Sequence, residues 1–260
     1  LPRGGVWEAG RGLRGLRELE ELTKERKGSM THENPYGICT WHEESACVGC
    51  DLQGELNCRY DRQLARFFMW NQVPSLVLAL FGSALTGYIT GMWWPLIVFV
   101  VGCIALWGLG IETYLLCRHC PFYAEGGKTL HCWALDGWPK FWRYRPEPMN
   151  AFEKTILSLF FSFLVIFPVG AEAYGTWFVG ANELGTYAFW GMVGITVATL
   201  MAGLQFVYIM HHDFCSRCVN FSCPLNNVPQ SLVDGFLRKN PVMREAWERS
   251  GYEVSDPKSL

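Results

Sequence analysis

The chain has 260 residues, half of them apolar and only 18% charged, with 22 lysines and arginines against 24 aspartates and glutamates. Soluble domains carry roughly 25% charged residues, so this composition argues against an ordinary globular enzyme. The formal net charge of −2 says little about partners, because the basic residues gather in a few segments.

Residues 1–29 read as an extension. They hold seven arginines or lysines, several glycines and an acidic patch at Glu18, Glu20 and Glu21, with no long apolar run of a secretory signal. Leu13, Leu16, Leu19 and Leu22 suit a helix over about 13–26, and Met30 is a candidate native start. Residues 30–66 carry the first cysteine cluster: Cys39, Cys47, Cys50 and Cys58. Four thiolates in so short a span are enough for one tetrahedral site around zinc or for an iron–sulfur cluster. In the central Cys-x-x-Cys, two intervening residues let both sulfurs turn toward one ion. His42 lies close enough in sequence to replace one sulfur.

Residues 67–116 contain one charged side chain, Glu112, and residues 155–212 contain two, Glu172 and Glu183. A span needs about 20 mostly apolar residues, so each stretch accommodates two helices. The expected spans are 68–88, 93–116, 152–174 and 186–210. Gly87, Gly91 and Pro95 around Trp93 and Trp94 mark one hairpin tip. Gly175, Gly180 and Gly185 around Tyr174, Trp177 and Tyr187 mark the other. Neither tip carries lysine or arginine. Arg59, Arg62 and Arg66 precede the first span, Arg118 to Lys154 separate the hairpins, and Arg217 to Arg249 follow the last. The positive-inside bias therefore places both termini and the central loop in the cytoplasm.

The second cluster, Cys117, Cys120 and Cys132, and the third, Cys215, Cys218 and Cys223, follow the distal helices of the two hairpins. This shared placement suggests two hairpin pseudo-repeats. Three cysteines leave each cluster one ligand short. His119 or His131 is a candidate to complete cluster two, and His211 or His212 cluster three; sharing of the six sulfurs is the alternative. Lone Cys103 reads as a small buried hydrophobe. On the reducing side of a membrane, metal ligation or reversible thiol chemistry is favoured over structural disulfides.

The central loop, 117–151, is rich in rings and positive charge at Phe122, Tyr123, Trp133, Trp138, Phe141, Trp142, Arg143, Tyr144 and Arg145. It suits a lipid surface, or the docking face of a soluble redox partner. Over 211–260, residues 229–250 suggest an amphipathic helix pair broken at Pro241. Bis-histidine haem is not expected, because all six histidines fall outside the spans or at their ends. Glu112 is expected to be the charge inside a span. It either snorkels, hydrogen-bonds a neighbouring helix or stands behind cluster two.

No phosphate loop, dinucleotide fingerprint, Ser-His-Asp set, paired acid–base carboxylates or nucleic-acid module is present. The expected fold is therefore an all-α integral membrane protein, a four-transmembrane-helix bundle with cysteine-rich cytoplasmic caps. Its partners are the bilayer, and a soluble redox protein or larger membrane complex. The expected function is a membrane-anchored metal protein carrying iron–sulfur clusters for electron transfer. The alternatives are a zinc-stabilised scaffold without catalysis and a thiol–disulfide oxidoreductase.

Overall fold

The side chain of Asp61 accepts hydrogen bonds from the amides of Gln63 and Leu64, at 2.7 and 3.4 Å, and so starts the first long helix. In the computed structural model, which describes residues 33–42 and 47–255, this helix, α1, runs Arg62–Thr90. It ends at Gly91, whose φ of 73° is the left-handed turn that glycine adopts freely. Pro95 opens α2, Trp94–Cys103. The tip between them is the expected one. The extension over 1–29, its leucine-spaced helix and the Met30 start lie outside the described residues.

The second span is not one continuous helix. After α2 the backbone loosens into a π turn, Ile104–Gly108, closed by a bond from the Leu109 amide to the Ile104 carbonyl. Gly110 then takes φ 71°, and the short α3, Ile111–Leu115, follows at a bend of 47°. Gly110 is the residue that permits the break.

An Asn150–Glu153 capping box starts α4, Ala151–Ala181, in which each side chain accepts the other's backbone N–H. The expected end at residue 174 is corrected. Gly175 and Gly180 lie inside the helix, and the tip falls at Asn182–Gly185. Gly175 serves close packing: a Cβ there would stand 2.8 Å from the Thr86 hydroxyl. The next helix, α5, spans Thr186–Ile209 and passes into a second π turn, Met210–Cys215. Two amphipathic helices finish the chain, α6 Gln230–Lys239 and α7 Pro241–Arg249, as the pattern around Pro241 predicts.

Helices α1, α4 and α5 pack on one another, while α2 lies against α1 and α4. Among the described residues three helices are long and apolar enough to cross a membrane, four if the bent pair counts as one span. Side chains such as Val77, Phe81, Leu159, Ile166 and Leu204 point outward and are exposed, as expected of lipid-facing positions. The molecule is thus an all-helical membrane protein, with no strand among the described residues. Glu112 is not alone in the spans, contrary to expectation, because Glu172 lies fully buried in the longer α4.

A second apolar core forms outside the bundle. Ile38, Trp41, Leu52 and Leu56 meet Phe122, Tyr123, Leu130, Trp133 and Tyr144 there, together with Phe236, Leu237, Met243 and Trp247. Phe68 of α1 joins it, edge-on to Trp133 and Phe214 at 5.2 and 5.3 Å. Four of the central-loop rings expected at a lipid or partner surface, those of Phe122, Tyr123, Trp133 and Tyr144, are therefore core. Phe141 and Trp142 stay exposed.

Candidate metal-binding site

Three backbone turns aim the thiols. The Cys50 amide bonds the Cys47 carbonyl at 3.0 Å, and the Cys120 amide bonds the Cys117 carbonyl at 2.9 Å. Each closes a Cys-x-x-Cys into one turn. The π turn Met210–Cys215 brings Cys215 round ahead of Cys218.

Clusters two and three lie on the walls of one cavity. Cys117, Cys120, Cys132, Cys215, Cys218 and Cys223 all line a single cavity of about 500 Å³, which continues between the helices past Phe99, Leu106 and Val165. One link ties the two segments across it: the Asn220 side chain donates to the Leu116 carbonyl at 3.1 Å. Within the third cluster the Asn227 amide bonds the Cys215 carbonyl at 3.3 Å. Cys103 is absent from the lining.

Glu112 also lines the cavity, is buried, and takes a hydrogen bond from Trp107. It does not snorkel. On the cavity wall it stands among the thiols of both clusters two and three.

Backbone amides are directed at the sulfurs. The Leu135 amide donates to Cys132 Sγ at 3.2 Å and the Asn220 amide to Cys218 Sγ at 3.4 Å. The Phe122 amide serves Cys120, and the Leu225 and Asn226 amides serve Cys223. Such donors stabilise sulfur that carries negative charge, as in a metal thiolate. Burial opposes that ionisation. It raises the Cys120 and Cys218 thiols, and pushes Cys132 up to about 12 and Cys223 to about 11.

Cluster one is a separate group. Burial pushes the Cys58 thiol up to about 12, with the nearby Cys39, Cys50 and Cys47 adding to it. Burial likewise raises Cys39, against the Asn240 side chain that donates to it. Asn240 is buried: its Nδ2 donates to Cys39 Sγ at 3.2 Å and to the Phe236 carbonyl at 2.8 Å, while its Oδ1 accepts from the Cys39 amide at 2.7 Å. Arg59 donates through Nε and Nη2 to Cys47 Sγ, at 3.2 and 3.1 Å, and through Nη1 to the carbonyls of Thr40 and His42. Sequence reasoning missed Arg59 and Asn240. Arg59 stands directly beside Cys58, but Asn240 lies far along the chain, and no spacing rule could find it.

The histidines mostly face elsewhere. His119 Nδ1 meets the Glu147 carbonyl at 2.6 Å, and its Nε2 accepts from Arg118 Nε at 3.3 Å. His131 Nδ1 bonds Glu125 at 2.8 Å, and the His212 ring lies 4.4 Å from that of Tyr208. Among the described histidines only His211 joins the cavity wall, with Asn227 Nδ2 3.2 Å from its Nε2. All eleven cysteines are free of disulfides. Among the described residues, no three His, Cys, Asp or Glu side chains stand close enough to hold one metal ion as they are. The donor set is soft and sulfur-rich, and the amides already point at it, so the residues suit a thiophilic metal or cluster.

These observations define a class: an all-helical membrane protein whose eleven cysteines are free thiols. No protein-family model, curated protein or solved structure matches the chain.

Proposed function

We propose that this protein is a membrane-anchored, cysteine-ligated metal protein that carries iron–sulfur clusters for electron transfer at the cytoplasmic face. The observation that carries the reading is the convergence of six cysteines from two distant segments on one cavity, with amide N–H groups directed at four of the sulfurs. We favour sharing over two separate Cys3His sites, since His119 and His131 have other partners and His211 stands on the wall of the same cavity as all six sulfurs. Cys39, Cys47, Cys50 and Cys58 supply a second, four-thiol site, with Arg59 and Asn240 donating to its sulfurs. Ligation draws each set of sulfurs inward and displaces their protons. The function is carriage of single electrons between a soluble donor and a membrane partner, with both termini and the thiol-bearing segments on the inner side by the distribution of lysine and arginine.

Thiol–disulfide exchange fits less well. The nucleophile of that reaction is the thiolate, and burial raises Cys120, Cys132, Cys218 and Cys223 away from it. A zinc-stabilised scaffold remains the second reading. Cluster one favours it, because Asn240 ties Cys39 to α6 and α7 as a structural clasp would. Metal and sulfide analysis with an absorption spectrum of anaerobically purified protein separates the three. Iron with acid-labile sulfide is the expected result; stoichiometric zinc in a colourless protein selects the scaffold. Neither metal, with a titratable disulfide, selects exchange.

A further inference from the structure

The half of the bundle away from the cysteines holds a polar site that the metal reading does not use. Glu172 of α4 is fully buried. Its Oε1 accepts from the Thr199 hydroxyl of α5 at 3.0 Å, while its Oε2 has no partner. Facing it from α1, Gly82 leaves the space the carboxyl fills, since any Cβ there would overlap it. Next to Gly82, the buried Ser83 hydroxyl also lacks a partner, as does that of Thr86 one turn along, which packs on Gly175 of α4.

These free oxygens are not the habit of this bundle. Thr90, Thr155, Ser158, Thr176 and Thr196 each donate to the carbonyl four residues back, the usual way a helix absorbs a hydroxyl. Ser83 and Thr86 do not. Three helices therefore contribute oxygen-bearing side chains to one stretch of their packing, and three of those oxygens are buried and unpaired.

A bare carboxylate inside an apolar bundle must be neutralised. Among the described residues no side chain does so. Across the packed elements the titratable or cationic groups are Arg62, Arg66 and Tyr88 on α1, Cys103 on α2, Glu112 and Tyr114 on α3, and Tyr187 and Tyr208 on α5. Glu153, Lys154 and Tyr174 share α4 with it. None of these acts on Glu172, whose surroundings are the apolar packing and Thr199. An all-oxygen donor set suits a hard cation and has no use for a soft one.

The geometry points to an exchangeable monovalent-cation site inside the bundle, formed by Glu172 with Thr199, Ser83 and Thr86 and filled by a proton or a sodium ion. Bound there, the cation neutralises the carboxylate, and its exchange with solvent makes the bundle responsive to pH or sodium. The site stands whether or not the thiols hold metal.

A hydrophobic carbodiimide, which attacks protonated carboxyls in apolar surroundings, tests this on the full chain in liposomes, with the labelled peptide located by mass. Labelling of Glu172 is expected to fall about tenfold for each pH unit above the carboxyl's midpoint. Loss of labelling on adding sodium at fixed pH identifies sodium as the occupant; indifference to sodium, with the pH dependence kept, identifies the proton. Glu172→Gln removes the label. Thr199→Val, a milder change, shifts the midpoint or the sodium concentration that protects. Labelling absent at every pH, or insensitive to both pH and sodium, overturns the proposal and leaves a closed structural hydrogen bond. An unshifted Thr199→Val overturns the assigned oxygen set.

Discussion

At Cys58, Cys132 and Cys223 burial holds the proton on sulfur, with Cys58 and Cys132 pushed up to about 12 and Cys223 to about 11. In the unfolded chain the same thiols ionise near 8.5–9, so the folded state binds protons that the unfolded state has lost. The sign follows directly. This contribution to stability is complete below about pH 8.5, and declines as pH rises toward 11–12 through the folded values. We expect the denaturation midpoint of metal-free protein to fall steadily across that alkaline window. Loading with metal removes the decline and releases about one proton per ligating sulfur, which an indicator dye in weak buffer can count. The cysteines of this site were legible as ligand candidates from spacing alone. Their grouping was not, because Cys132 and Cys223 meet only after two spans and a loop have folded back. Glu172 gave a signal, a carboxylate in a long apolar run, but with the helix expected to end at residue 174 it sat at the rim and not inside.

The helices repeat that lesson at a larger scale. Segments with clear punctuation were legible: Gly91 and Pro95 fixed the first tip, and Pro241 the division of α6 from α7. The second tip was misplaced because glycine has two uses. Gly175 and Gly180 read as turn residues, yet Gly175 lets Thr86 and Met192 approach α4 closely. The break at Gly110 was hidden for the opposite reason, since an apolar run looks continuous whether or not its hydrogen bonds are. The helix ahead of cluster two loosens into a π turn before Gly110 and α3, and α5 passes into one that ends at Cys215, a device common beside functional sites. At the start of α4, Glu153 both completes the capping box and pairs with Arg118 at 2.6 Å, tying the helix to the Cys117–Cys120 turn. Glu153→Ala leaves the half-buried Arg118 without its carboxylate, and should cost about 3 kcal/mol by analogy with buried pairs that lose one member. Asn150→Ala, which removes only the cap, should cost about 1 kcal/mol. Thermal unfolding in detergent measures both, and equal losses would mean that the ion pair contributes nothing.

For the molecule as a whole, the exposed apolar side chains of α1, α2, α4 and α5 argue for a lipid surround, and the distribution of lysine and arginine for one orientation within it. A membrane-impermeant maleimide should therefore leave the cysteines of intact cells unlabelled. It should reach those of cluster one after lysis, because Cys39, Cys47, Cys50 and Cys58 are all partly accessible. Labelling before lysis would reverse the orientation and remove the reducing environment on which metal ligation rests. Asn240, finally, bears on the order of assembly. It grips Cys39 across 201 residues of sequence, and the thiol cavity draws half its sulfurs from beyond α5. Neither cysteine group has its full surroundings until the segment after α5 has folded back onto those that precede α1 and α4. Gathering of the thiols is thereby coupled to folding of the whole bundle rather than of either hairpin alone.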